Sequence, residues 1–394
     1  MLEKLKPQAP DKIIELLGIY AADSRTDKLD LGIGVYKDAD GSTPIMRAVK
    51  EAERRLWTEQ QSKAYVGLLG DLDFVDRMRE LILGDAVGLE RIAGAQTPGG
   101  TGAVHQLAEL VRRARPDATV WYSDPTWPNH PAILAHVGLL HRTYRYFDPV
   151  RCAVDFAAMR ADLATAAEGD VVILHGCCHN PTGANLTADQ WAELTALFAE
   201  KGVLPLVDLA YQGFGDGLED DVAGLRAMAA ALPELMIAAS CSKNFGLYRD
   251  RVGAAFAISA SAEQTGVTRG NLATLNRLNY SFPPDHGARV VAIILGDDRL
   301  RQDWMDELEA MRLNMLSLRQ GLADALRRVT NSDRYDYIAD HRGMFTLLGG
   351  SLDKVRALRE QHGIYMVGTG RINIAGLPAD GLDRLAGAIA AAGI

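Results

Sequence analysis

Four short apolar runs, Thr119–Ser123, Val171–His175, Leu204–Asp208 and Leu235–Ser240, alternate through the middle of the chain with segments of helical periodicity. Runs of this length, bounded by polar and glycine residues, read as buried strands. The helical segments are Gly102–Ala114, Ala188–Glu200 and Val222–Ala231. Strand and helix in alternation admit few folds, because right-handed crossovers lay the strands parallel and cover both faces with helices. The expected fold class is α/β with a mostly parallel sheet flanked by helices. At 394 residues the chain exceeds the ~250–300 at which one core stops growing, so a large domain and a smaller one are expected. An amphipathic stretch from Asp298 to Val329 carries Trp304, Leu308, Met311, Met315 and Leu318 at helical spacing and is long enough to bridge them. Short strand-like pieces near Gly343, Gly363 and Arg371 place the C-terminal part in the smaller domain. The expected division is 1–45 as an N-terminal arm with part of the small domain, 46–297 as the large domain, and 298–394 as the interdomain helix and small domain.

The net charge of -9 argues against a nucleic-acid surface, which needs a basic patch. No 18-residue apolar span is present and the first residues contain no apolar signal core. Cys152, Cys177, Cys178 and Cys241 form no CxxC pair, so reduced thiols in a cytoplasmic protein are expected rather than a disulfide framework or zinc ribbon.

Lys243, in Ser240-Cys-Ser-Lys-Asn-Phe-Gly246, lies where the apolar run 235–239 meets a loop. An amine there has a partner, a depressed pKa or a chemical task. Ser240, Ser242 and Arg251 lie close in sequence. Hydroxyls and a guanidinium suit a phosphate, and a partly desolvated amine suits a carbonyl. Gly100 and Thr101, in Pro98-Gly-Gly-Thr-Gly102, open a helical segment, where glycines and unpaired N–H groups accept a phosphate; a plain glycine-rich turn is the alternative. Trp127, fixed between Pro125 and Pro128, is placed to stack on a flat aromatic cofactor or to pack in the core. Asp208 ends an apolar strand and needs a cationic partner, for which a protonated pyridine nitrogen would serve; Tyr211 follows three residues on. His175-Gly-Cys-Cys-His179 has metal-like spacing, with 175, 177 and 179 on one strand face. The Asn180-Pro-Thr-Gly183 turn that follows favours instead an Asn180 amide presented to a ligand. Arg371 and Arg277 are each suited to clamp a carboxylate, against the default of a surface arginine.

Taken in order, these segments resemble the class I pyridoxal-phosphate aminotransferases, aspartate and aromatic amino-acid branch, from end to end. The resemblance is carried by Leu-Gly-Ile-Gly-Val-Tyr (31–36), Tyr65-Val-Gly-Leu-Leu-Gly70, Gly-Gly-Thr-Gly (99–102), Trp-Pro-Asn-His (127–130) and His-Asn-Pro-Thr-Gly (179–183). It continues through Asp208-Leu-Ala-Tyr211, Ser-Cys-Ser-Lys-Asn-Phe-Gly (240–246), Arg251 and Gly370-Arg-Ile-Asn. It implies fold type I, with a seven-stranded sheet in the large domain, pyridoxal 5'-phosphate as cofactor, and a homodimer with shared sites. Lys243 would hold the cofactor as a Schiff base and then move the substrate proton. Asp208, supported by His130, would pair with the pyridinium nitrogen. Asn180 and Tyr211 would bond the ring oxygen, with Trp127 covering a ring face. Gly100, Thr101, Ser240, Ser242 and Arg251 would bind phosphate, with Tyr65 from a second subunit. Arg371 and Asn180, beside Gly34, would take the substrate α-carboxylate, and Arg277 of the second subunit would face the side chain. No metal is implied.

Phe282, where the aspartate-specific branch commonly has a polar residue, brings the resemblance closest to bacterial aromatic aminotransferases. The expected substrates are aromatic and acidic L-amino acids with a 2-oxo acid acceptor; an aspartate aminotransferase is the alternative. A cofactor-binding regulatory relative would need a basic DNA-binding module, which is not visible. A lyase on the same fold would release ammonia. A dehydrogenase would need GxGxxG, which Gly-Gly-Thr-Gly is not.

Overall fold

The computed structural model describes residues 1–7, 12–368 and 370–394. The chain gathers into two compact units, Pro44–Asn314, and Met1–Thr43 with Met315–Ile394.

The larger unit is built on a seven-stranded sheet. Its strands are β1 (Ile92–Pro98), β2 (Thr119–Asp124), β3 (Leu140–Arg145), β4 (Val171–His175), β5 (Leu204–Leu209), β6 (Leu235–Ser240) and β7 (Val252–Ile258), in the order β1-β7-β6-β5-β4-β2-β3. Only β7 runs against its neighbours. The mostly parallel α/β sheet expected from the alternation is present. β6 and β7 are buried at every position, as strands covered on both faces must be. β3, at the edge, is exposed except at Tyr144. Helices Gly99–Ala114, Ala188–Lys201 and Asp220–Ala231 pack around the sheet.

Register sets the site. His175 stands opposite Asp208, Asp208 opposite Ala238, and Ser240 opposite Gly253. The carboxyl ends of β4, β5 and β6 therefore finish together, and the loops that follow them share one edge, where ligands bind in open parallel sheets.

The amphipathic stretch is one helix, Asp298–Thr330. The division between the units falls inside it, at 314/315, because its first half packs on the larger unit. Trp304 is fully buried, donates its indole N–H to the Asn244 carbonyl at 2.7 Å, and stacks on Phe245 with centroids 4.4 Å apart.

Among the described residues, the smaller unit has two two-stranded sheets. Leu29–Asp30 pairs parallel with Ile364–Tyr365, and Phe345–Leu347 antiparallel with Arg371–Asn373. Leu31, Leu322, Ile338, Ile364, Ile372 and Ile389 are fully buried in its core. Among the described residues no helix is long and apolar enough to cross a membrane.

Trp304 holds the turn that follows Lys243. Trp304→Ala is expected to cost about 3–5 kcal/mol, the range for a buried aromatic, and Trp304→Phe about 1 kcal/mol for the hydrogen bond. Denaturant midpoints of the two variants check both values.

Candidate active site

The loops at the carboxyl edge of the large sheet enclose a pocket whose lining includes Gly100, Trp127, Asn180, Asp208, Tyr211 and Lys243. His175, Cys177, Ser240, Ser242, Thr101 and Arg251 complete most of the remainder. Trp127 comes from the loop after β2, Asn180 from the loop after β4, and Asp208 from β5 itself. Lys243 lies three residues past the end of β6.

Asp208 is held by a chain of hydrogen bonds. His130, fully buried on helix Asn129–Val137, faces its Oδ2 through Nε2 at 2.9 Å. His130 Nδ1 is 2.8 Å from Thr126 Oγ1, which is 3.4 Å from His175 Nε2, and His175 Nδ1 accepts the Asn180 backbone N–H at 3.1 Å. That last contact fixes every proton in the chain. His175 accepts at Nδ1 and so donates from Nε2 to Thr126; the Thr126 hydroxyl then donates to His130 Nδ1, leaving His130 Nε2–H to donate to the carboxylate. Burial, with His130 adding to it, drives the His175 pKa down to about 3 against the pull of Asp208, which keeps it the neutral acceptor this chain needs. For Asp208 the largest effect is burial, which raises its pKa. The His130 hydrogen bond leads the opposing effects, and with the electrostatic influence of the neighbouring His130, His175 and Lys243 side chains it outweighs burial, so the carboxyl ends below its ordinary value.

Lys243 shows the converse. Burial, followed by repulsion from Arg251, lowers its amine from 10.5 to about 8, with Asp208 pulling the other way. Its Nζ lies 5.1 Å from the Tyr211 ring centroid.

A concave set of donors adjoins the amine. Helix Gly99–Ala114 follows β1 directly and no side chain caps its N-terminus, so its first N–H groups and positive dipole end face outward. Arg251 Nη1 donates to Ser242 Oγ at 3.4 Å, and the Ser242 N–H to Ser240 Oγ at 3.2 Å. Gly99 has φ 74°, and a Cβ there would stand 2.5 Å from Arg251 Nη2, so any side chain would displace the guanidinium. Arg251 holds φ 55°, a conformation that costs a non-glycine residue about 1–2 kcal/mol. An anion is what such a cradle accommodates.

Two expected residues stand apart from this pocket within the chain. Tyr65 is exposed and stacks on Phe282 with centroids 4.7 Å apart. The Arg277 guanidinium lies 5.7 Å from the same ring centroid and donates to Ser281 Oγ at 2.7 Å. Neither lines the Lys243 pocket. In the smaller unit, Arg371 is buried, donates from Nη2 to the Gly32 carbonyl at 2.8 Å and lies 4.3 Å from the Phe345 centroid. A Cβ at Gly34 would meet Phe345 Cζ at 2.6 Å. Asn373 donates to the Ile33 and Val35 carbonyls, both at 2.7 Å, tying the Gly34 segment to the strand that carries Arg371.

The metal-like spacing of His175 and His179 has another basis. β4 stops at His175 and the chain turns, with Cys178 at φ 51°, so 175, 177 and 179 do not share a strand face. The two imidazoles stack at 4.1 Å, and His179 faces Ser123 Oγ and Thr182 Oγ1 through its two nitrogens.

The family model for class I and II aminotransferases matches residues 26–389. The chain belongs to that family. This aminotransferase is 55% identical over 394 residues to the aromatic-amino-acid aminotransferase of Paracoccus denitrificans, covering 100% of both chains. It is 43% identical over 394 residues to the aspartate aminotransferase of Salmonella typhi, covering 99% of this chain and 100% of the relative. Among solved structures, it superposes with a TM-score of 0.97 on the aromatic-amino-acid aminotransferase of Burkholderia pseudomallei covalently bound to pyridoxal phosphate. That protein is 37% identical, with 100% of this chain and 99% of the other covered.

The orienting contacts of Thr126, His175 and Asn373 have no direct signature in the sequence. Each orients another residue; His175 shows in the sequence only through its metal-like spacing, and Asn373 only as the last residue of Gly370-Arg-Ile-Asn.

With an amine pKa near 8, Lys243 holds about 300-fold more neutral amine at pH 7 than an ordinary lysine. Its labelling by an amine reagent in cofactor-free protein is expected to rise through pH 8. Arg251→Gln shifts that midpoint up by removing a repelling cation, and Asp208→Asn shifts it down. Mass-spectrometric labelling rates against pH check each sign.

Proposed function

We propose that the chain transfers amino groups from aromatic and acidic L-amino acids to a 2-oxo acid with pyridoxal 5'-phosphate, preferring aromatic donors. The observation that carries this reading is the pairing of a depressed amine, Lys243, with an ionised buried carboxylate, Asp208, beside an uncapped helix N-terminus. Those three features fit the aldehyde, the pyridinium and the phosphate of one molecule. When bound, that cofactor supplies an electron sink for the carbanion left at the substrate Cα.

Lys243 holds the cofactor through its amine and, once free, takes the proton from substrate Cα; a pKa near the working pH suits a group that must both accept and return it. Asp208 stays ionised because His130 donates to it, and so keeps the ring nitrogen protonated. Asn180 and Tyr211 bond the ring oxygen and Trp127 covers a face. Gly100, Thr101, Ser240, Ser242 and Arg251 bind phosphate. Arg371 takes the substrate α-carboxylate with Asn180, beside the Gly34 backbone.

Tyr65 and Arg277 serve the site of a second subunit in a homodimer. Their exposure and their separation from this chain's own pocket support that assignment. The cytoplasm is the proposed compartment, and the presence of all four cysteines as thiols suits it. The aromatic preference is supported by the higher identity to the Paracoccus enzyme and by Phe282, whose ring gives the Arg277 guanidinium a resting place when the substrate side chain carries no charge.

Phenylalanine with 2-oxoglutarate is expected to yield glutamate; ammonia without glutamate would overturn the transfer reaction. Lys243→Ala should abolish turnover. Arg277→Ala is expected to lower kcat/KM for aspartate by about two orders of magnitude, the loss of a charge-assisted pair, and to leave phenylalanine within about threefold. Equal losses for both donors would remove Arg277 from the side-chain role.

A further inference from the structure

We propose that the larger unit carries a second small-molecule site, at the opposite edge of its sheet, for an α-amino acid with an apolar side chain. A cavity of about 610 Å³ lies there, within the ~300–1,000 Å³ of sites that enclose small ligands. It shares no lining residue with the pocket at Lys243. Its floor is apolar, formed by Val171, Leu204 and Met236 at the amino ends of β4, β5 and β6, with Phe198 and Ile258. Its charges, Arg113, Arg115, Glu168 and Glu234, are all exposed at the rim.

Two of those rim charges are seated on glycines. A Cβ at Gly169 would fall 2.1 Å from Arg115 Nη1, and one at Gly202 would fall 2.9 Å from Glu168 Cγ. Both glycines hold left-handed backbone, φ 78° and 64°, and the Gly169 N–H donates to the Gly202 carbonyl at 2.8 Å. Two joined loops thus lay a cation and an anion on neighbouring backbone. Among the described residues, none of the four rim charges is joined in an ion pair.

That arrangement selects its occupant. A simple anion would be repelled by Glu168 and Glu234, and a simple cation by Arg113 and Arg115. A zwitterion meets both, and the apolar floor rewards a hydrophobic side chain beneath it. Helix Gly99–Ala114 ends at the cavity, and its negative dipole end also favours an ammonium group. The site lies at the far ends of the strands that carry the catalytic edge. Val171 and His175, Leu204 and Asp208, and Met236 and Ser240 are the two ends of the same strands, about 13 Å apart.

The test is equilibrium dialysis of labelled L-phenylalanine against cofactor-loaded Lys243→Ala protein, in which the amino acid is not consumed. Ala199→Trp, at an exposed lining position, fills the cavity. Adding it is expected to remove one bound phenylalanine per chain, whereas Arg371→Ala removes only the other. Arg115→Ala should weaken the cavity site about tenfold. In protein that retains Lys243, the single Ala199→Trp substitution should keep turnover within about twofold, which shows that its fold and catalytic pocket persist. If Ala199→Trp is insoluble, Arg115→Glu replaces it, with the same loss expected. Binding unchanged by the cavity variant, or no binding beyond what Arg371→Ala removes, overturns the proposal.

Discussion

An ionised carboxylate buried at the end of a parallel strand governs the arrangement of everything around it. Burial alone would protonate Asp208, and a neutral acid there would neither hold a cation nor attract the Lys243 amine. The structure offsets burial with one donor, His130 Nε2–H. That donor points correctly only because Thr126 fills Nδ1, and Thr126 is oriented by His175, which is fixed by the Asn180 N–H. The sequence of bonds runs through the loop after β2 and the loop after β4. The same bonds that keep Asp208 charged therefore also fix Trp127 and Asn180 at the pocket wall.

Lys243 and Asp208 pull each other's titration in opposite senses, and the balance differs for each. For the lysine, burial and Arg251 prevail over Asp208, so the amine is easier to deprotonate. For the aspartate, the histidines and the lysine prevail over burial. Two groups of opposite type are thus held within reach of their reactive forms near neutral pH, which is how a single fold performs proton transfer. Volume would have pointed elsewhere, since the cavity at the amino edge holds about 610 Å³ and the Lys243 pocket about 80 Å³. Buried titratable groups converge on the smaller one, whereas the charges of the larger cavity are exposed at its rim, and proton transfer follows the buried groups.

Much of this was legible in the sequence, where the physical signal was local. β4 and β6 have the bounds their apolar runs predict, and β2 and β5 extend one residue further. Other strands carried weaker signals. β3, Leu140–Arg145, is an exposed edge whose residues alternate no hydrophobicity. β7, Val252–Ile258, is buried throughout and built mostly of small residues, so its direction against the sheet is invisible in its composition. The boundary inside Asp298–Thr330 was hidden for a different reason: helical periodicity continues across 314/315, and only the seating of Trp304 against Asn244 and Phe245 shows which unit the first half joins. The relay through Thr126 and His175 was illegible because it depends on register between strands far apart in the chain. His175 carried a misleading signal, since its spacing to His179 mimics a metal site while the fold uses both rings for stacking and hydrogen bonds.

With Arg277 in the side-chain role proposed for it, choice between acidic and aromatic side chains reduces to a comparison of two small energies at that residue. Its guanidinium rests over Phe282 and donates to Ser281. At an exposed position a cation–π contact contributes about 0.5–1 kcal/mol and a neutral hydrogen bond about 0.5–1.5 kcal/mol. A charge-assisted pair with a carboxylate contributes about 1.5–3 kcal/mol. The resting contacts are strong enough to spare an aromatic substrate an unpaired cation, yet weak enough for a substrate carboxylate to displace. A polar residue at 282 would remove the ring and with it half of that resting place. On that proposed assignment, Phe282 favours tolerance of both side-chain types without any change in the Lys243 pocket.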